Sequence, residues 1–491
     1  MDYTLSKSKF CKGFQCPKIL WMDEHRPELA VDTASESILK TGEEVGKLAR
    51  SYFDGCQDVT FDYDKMNMVQ QTNAFMNAGA PVIAEASFLA DCKFCSVDLL
   101  RRVPDGWELI EVKSSTEVHK IYEYDMAYQY YVLSECNVPV SRVYNMHINS
   151  DYVRHGDLEL DKLFVLEDCT ELVLDLQSEI EEAFQLISYV LAMEEEPEFE
   201  IGMHCVDPYD CVYKNYCHRN IPEDSVFDIH RLAKKKKYEL YHQGIVSFED
   251  IVEQVPQLSE KQWRQVKSVT ENESPSIEVD EIRKFLETIT YPLYYLDFET
   301  FQQAIPMYDG VSPYMQIPFQ YSLHIQCEKD GELLHKEFLG KEGMDPRRQL
   351  AEQLCNDIPR DVCSLAYNMS FEKTVIRNLA KLYDDLAERL MNIHDHICDL
   401  MVPFQKQYYY CKELKGSYSI KWVLPALCGG DSEFDYHALE EVHNGSEAMS
   451  AFADLPNHSE EEIKRIRKNL LAYCRLDTLA MVKILEKLYE I

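Results

Sequence analysis

Positive charge is scarce in this chain: 50 Lys and Arg stand against 86 Asp and Glu, a formal net charge of −36. A polyanion is repelled by such a surface at long range, which excludes a nonspecific nucleic-acid coat and obliges any strand to enter along local basic ground. Carboxylates that hold divalent metals add to the same negative count, so metal-dependent chemistry on nucleic acid stays open. Also missing is a run of about 18 uncharged apolar residues, which excludes a membrane-spanning helix. The N-terminal stretch interleaves Lys7, Lys9, Lys12 and Asp23 where a signal peptide needs an apolar core. A soluble, cytoplasmic protein without a membrane partner is expected. No internal repeat, low-complexity tract, coiled-coil signal or base-reading motif is visible.

The 491 residues present are 46% hydrophobic, with 31 Tyr and 21 Phe, enough to bury several cores in roughly three domains of ~150 residues. Seventeen cysteines without a secretion signal do not read as a disulfide framework, and metal binding is the better reading. Strand signals at 82–89, 96–103 and 107–112 lie among helical patterns, and a helix-like run at 172–193 leads into a Cys-rich loop at 205–217. Residues 222–290 are polar and helical, a connecting module whose Lys234–Lys237 run reads as a solvated helix face or a guide for a phosphate backbone. From 291 a second pattern starts, with strands at 293–296, 319–326, 334–339 and 362–367 and a helix at 346–356. The expected fold is α/β with mixed sheets, divided at 1–220, 221–290 and 291–491.

Asp98 falls in one strand, and Glu111 and Lys113 fall two apart on the next, on one face of it. An acid pair binds Mg²⁺ through oxygen while an adjacent lysine positions or activates water for attack on phosphorus. Two charges in a largely apolar strand need partners. This arrangement resembles the PD-(D/E)XK nuclease superfamily in its RecB-like branch, and Gln129 in Asp125-Met126-Ala127-Tyr128-Gln129 matches that branch's helix glutamine. The resemblance implies Asp98 and Glu111 as Mg²⁺ (or Mn²⁺) ligands, with Lys113 and Gln129 as catalytic residues. Gly46 stands where a histidine ligand is common, which leaves Glu85 as the candidate third ligand.

Cys16 precedes Cys205, Cys211 and Cys217, the last three at intervals of six. Four thiolates hold Zn²⁺ or an iron–sulfur cluster, and free buried thiols are the bland alternative. One early cysteine and three late ones around a RecB-like core resemble the CRISPR-associated exonuclease family and the AddB-type nucleases, which implies a structural [4Fe–4S] cluster on these four residues. Cys92 and Cys95 read as turn or strand thiols, and Cys11 is set aside for Cys16, whose Cys-Pro context suits the resemblance.

In the second half Asp297 and Glu299 share a strand face, Glu372 opens a helix, and Tyr473 and Asp477 lie four apart on another helix. Four acids from three segments can bridge two Mg²⁺ ions about 4 Å apart. The ordered set resembles the DEDDy branch of DnaQ-like 3′-5′ exonucleases, of ribonuclease H-like fold, which implies Tyr473 as the residue that orients the nucleophile. Glu372 departs from the usual Asp. Residues 416–422 read as a turn and helix cap. The whole chain resembles a bacterial family joining an iron–sulfur RecB-like nuclease to a DnaQ-like domain, which implies a metal-dependent nuclease acting on nucleic acid, DNA favoured over RNA. The competing reading, favoured by Gly46 and Glu372, is a noncatalytic nucleic-acid-binding or scaffold protein.

Overall fold

Apolar and polar residues alternate along 82–112, and in the computed structural model this stretch forms three successive antiparallel strands. The structure describes residues 4–31, 36–273, 275–429 and 442–491. The chain divides into two units, one of residues 1–220 with 303–315, the other of 221–302 with 316–491. The 221–290 segment is thus part of the second unit, where Val226, Ile229, Leu240, Phe248 and Val266 build a core of their own. None of the cysteines is joined in a disulfide, and among the described residues no helix is long and apolar enough to cross a membrane.

The first unit is built on a seven-stranded mixed sheet of β1 (Leu5–Ser6), β2 (Cys56–Asp58), β3 (Val82–Ala90), β4 (Lys93–Val103), β5 (Gly106–Val112), β6 (Val140–Ile148) and β7 (Phe164–Asp168). Its order is β2-β3-β4-β5-β6-β7, with β1 parallel to the first residues of β4. Asp91, at φ 52°, makes the tight β3–β4 turn that Asp tolerates. Gly106 opens β5 at φ 138°, where a Cβ would overlap the Pro139 carbonyl oxygen, so only glycine lets β5 run beside β6. Helices cover the sheet, among them Lys7–Gln15, Pro17–His25, Glu36–Arg50, Lys65–Ala78 and Lys120–Glu135. The run at 172–193 is broken into helices Thr170–Asp175 and Gln177–Leu191.

The second unit carries a two-stranded pair, β8 (Ser276–Ile277) with β14 (Tyr409–Tyr410). Its main sheet has five strands, β9 (Leu293–Phe301), β10 (Ile317–Gln326), β11 (Leu333–Leu339), β12 (Cys363–Ala366) and β13 (Ile397–Asp399). The order is β11-β10-β9-β12-β13, antiparallel through β9–β11 and parallel through β9, β12 and β13. β10, between β11 and β9, is buried along its whole length. The 30-residue helix Glu460–Tyr489 starts at a Ser459/Glu462 capping box and buries Ile466, Leu470, Tyr473, Ala480, Ile484 and Leu488.

Candidate functional site

In the first unit β4 brings Asp98 and β5 brings Glu111 into an open cleft of about 570 Å³, which Lys7, Gly46, Arg50, Glu85 and Lys113 also line. The Asp98 carboxylate accepts from the Val112 backbone N–H at 2.7 Å. Burial, and then the charge of Glu111, push its carboxyl up to about 7. Glu111 is 1% exposed. Burial works against its ionisation, but the ammonium groups of Lys113 and Lys7 outweigh it and hold the carboxyl down to about 2. Lys7 Nζ donates to Glu111 Oε1 at 2.7 Å and Lys113 Nζ reaches the same oxygen at 2.9 Å. Gln129 Nε2 donates to Oε2 at 2.7 Å, while its buried Oε1 finds no partner.

Lys113 extends the β5–β6 ladder, its backbone N–H donating to the Met146 carbonyl, and its ammonium also pairs with Asp125 at 2.6 Å. The Cys11 thiol donates to the other oxygen of Asp125 at 2.9 Å, which puts Cys11 at this site and apart from the other early cysteine. Lys7 and Asp125 escape a sequence reading. Lys7 lies 104 positions from Glu111 in no motif, and Asp125, four positions before Gln129, carries no signal of its own.

Glu85 is placed differently from the expected ligand. It adopts φ 55° where the β3–β4 ladder skips the pair it would form with Asp98, and Arg50 holds its carboxylate at 2.9 Å. Among the described residues Glu85, Asp98 and Glu111 do not come within 4.8 Å of one another as a set. Gly46 sits on the cleft wall in helix Glu36–Arg50, and a Cβ there would meet nothing within 4 Å. Side-chain space at this position is therefore open.

In the second unit ligand oxygens of Asp297, Glu299 and Asp477 lie within 4.8 Å of one another. β9 supplies the first two by its period of two, and the helix Glu460–Tyr489 supplies the third, with Tyr473 one turn earlier and 5% exposed. Glu372 lies in the first turn of the helix Met369–Leu382, which follows Asn368, where the chain turns at φ 73°. It is 2% exposed and its Oε2 has no hydrogen-bond partner. Burial first, then the neighbouring carboxylates, raise Asp297, Glu299 and Glu372 well above the usual range. The Cys474 thiol lies 3.6 Å from Asp297 Oδ2 as a weak donor. Behind Asp477, Thr478 Oγ1 joins Ser322 Oγ at 2.7 Å and His324 Nδ1 at 2.8 Å, fixing the helix to β10. A buried acid cluster with an orphaned oxygen fits cations and is costly without them.

Cys16, Cys205, Cys211 and Cys217 line one cavity, with Lys18, Ile19, Met22 and Tyr213. Cys16 is the N-cap of helix Pro17–His25, where the first backbone N–H groups favour a thiolate. Burial nevertheless pushes the Cys16 and Cys211 thiols up to about 11. Among the described residues no three of the four sulfurs lie within 4.8 Å of one another. A single tetrahedral zinc, with Zn–S bonds of about 2.3 Å, wants sulfurs about 3.8 Å apart. Cys92 lies in the β3–β4 turn and Cys95 is buried in β4. The Lys234 run opens helix Lys234–His242, with Lys236 paired to Glu239 at 3.7 Å. Ser419 is the N-cap of helix Ile420–Cys428.

A family model described as a domain of unknown function, DUF2779, matches residues 294–419, about a quarter of the chain. The match takes in Asp297, Glu299 and Glu372 and stops before Tyr473 and Asp477. No curated protein and no solved structure matches the chain.

Proposed function

We propose that the chain is a metal-dependent nuclease that hydrolyses phosphodiester bonds, with a DnaQ-like DEDDy 3′-5′ exonuclease site in its second unit and a RecB-like PD-(D/E)XK site in its first. The observation that carries the reading is the meeting of Asp297, Glu299 and Asp477 within 4.8 Å, from a strand and a helix about 180 residues apart in sequence, beside Tyr473. Divalent ions at such a cluster activate water and stabilise the leaving oxygen. Asp297, Glu299 and Asp477 would hold them, with Glu372 completing the set. Tyr473, buried among these acids and held as a neutral phenol by burial and their charge, is a donor and acceptor that orients a water.

For the first unit, support comes from Lys113 beside Glu111 and from the Gln129 amide that fixes the Glu111 carboxylate. The mixed sheets of both units agree with the resemblance. A [4Fe–4S] cluster suits the cysteine cage better than zinc, because the four sulfurs are spread more widely than one tetrahedral ion requires. The noncatalytic alternative is favoured at the first unit by one observation: Arg50 ties up Glu85, the expected third ligand beside Asp98 and Glu111.

The test uses full-length protein and DNA labelled at either end. A Lys113→Ala parent should trim 3′ ends with Mg²⁺, and adding Asp297→Ala should slow trimming roughly a thousandfold or more. Trimming that survives both changes sinks the exonuclease assignment, and a parent that shifts the label without shortening it is a binding protein.

A further inference from the structure

Glu111 holds more positive charge than an ion pair needs. Lys113 is accounted for by its place two residues on, but Lys7 arrives from the other end of the unit. Its position is set by β1, whose register beside β4 (Leu5↔Lys93, Ser6↔Phe94) delivers the next residue to Glu111. The nine-residue helix that Lys7 opens is pinned along its length. Cys11 donates to Asp125, Gln15 Nε2 donates to the His204 and Tyr209 carbonyls at 2.7 and 2.8 Å, and Cys16 follows in the cysteine cage. The side chain of Lys7 is 22% exposed and lines the cleft, so its ammonium is open to a ligand there.

Charge balance says what that ligand is. With every group ionised, Asp98, Glu111 and Asp125 against Lys7 and Lys113 leave one negative charge, and the cleft pairs Lys47–Glu43 and Arg50–Glu85 cancel. One divalent cation makes the sum +1, and one phosphodiester brings it to zero. Without Lys7 the loaded site ends one charge negative around a carboxylate that is 1% exposed, where an unbalanced charge is expensive.

We propose that Lys7 is a phosphate-binding lysine of the first site: it holds Glu111 in this structure, and where Asp98 and Glu111 would hold a divalent cation its ammonium would pair with a non-bridging oxygen of the scissile phosphodiester. The proposal rests on the nuclease reading of the first unit. Lys113 is thereby left to position the attacking water.

The experiment uses the full chain carrying Asp297→Ala, which silences the second site, with 5′-labelled single-stranded DNA as probe. Single-turnover cleavage in Mg²⁺ and Mn²⁺ binding by titration calorimetry are measured for this parent, for Lys7→Ala and for Lys7→Arg. Lys7→Ala should cut roughly a hundredfold or more slowly, the scale of losing one charge-stabilising donor, while binding Mn²⁺ at least as tightly as the parent. Lys7→Arg should recover at least about a tenth of the parental rate. A merely structural lysine behaves otherwise: if Lys7→Ala loses Mn²⁺ affinity in step with rate, or cuts at the parental rate, the proposal is overturned. A parent that binds Mn²⁺ but cuts nothing overturns the nuclease reading of the first unit, and Lys7's role with it.

Discussion

At Glu372 a carboxylate oxygen lies in the interior without a donor, beside Asp297. Its folded-state pKa stands above the ordinary value of about 4.3, so the unfolded chain ionises first as pH rises. Stability attached to this proton is complete below that ordinary value and is lost as pH climbs through the raised folded value. Asp297 and Glu299 act in the same direction. In EDTA the midpoint of thermal unfolding should therefore fall between about pH 4.5 and 8, and Mg²⁺ should flatten the curve. Glu372→Gln should be more stable than the native chain at pH 8 in EDTA, by about 1–3 kcal/mol; a less stable variant would mean that the oxygen has a partner.

Spacing along one strand or one helix turn makes Asp297, Glu299, Tyr473 and Asp477 readable from sequence. The same logic yields Glu111 and Lys113. Lys7 is unreadable because a two-residue strand decides its position, and two residues carry no periodicity. The Arg50 pairing of Glu85 is unreadable for a related reason. Its strand is legible, but the positive φ that turns it toward Arg50 is a backbone choice no side-chain pattern announces.

Among the elements, the helix Lys7–Gln15 works as a strut, with the first site at its start and the cysteine cage at its end. If the cage holds a cluster, protein purified without oxygen should be brown and contain iron. Cys16→Ser should bleach it and loosen the strut's far end. Cys11, whose thiol is pinned to Asp125 and pushed well up by burial, then becomes the reporter. Alkylation of Cys11, followed by peptide mass spectrometry, should be at least about tenfold faster in Cys16→Ser, a local opening made easier by more than about 1.4 kcal/mol. Equal rates would mean that the helix is held without the cage. The break at Leu176 in the predicted 172–193 helix has a simpler origin: Gln177 turns its amide back to the Val173 and Ala127 carbonyls as a new helix begins.

Across the whole molecule, the first unit ends at residue 220 and takes back residues 303–315, a return that no shift in composition announces. That segment has no strand or helix period, and its polar groups bond to loop backbone. Arg154 exchanges backbone bonds with Val311 and Gly310, its guanidinium donates to the Pro306 and Met307 carbonyls, and the Gly156 N–H donates to Asp309. The Tyr314 hydroxyl donates to the carbonyl of Ser114, the residue after Lys113. A fragment ending at Asn220 loses all of these. At about 1 kcal/mol per bond, less the cost of ordering the segment, its unfolding midpoint should lie about 5–15 °C below that of the first unit in the full chain, by calorimetry. An unchanged midpoint would mean that the segment rests on the unit without supporting it.

The excursion of 303–315 also bears on how such a gene can be rearranged. A recombination event that swaps everything after codon 220 for a relative's sequence would carry away thirteen residues that belong to the first unit and import thirteen selected against a different surface. Exchange of either unit by a single crossover is thus penalised, and viable hybrids need junctions near 220, 302 and 315 together. The two units are therefore expected to be inherited as a pair.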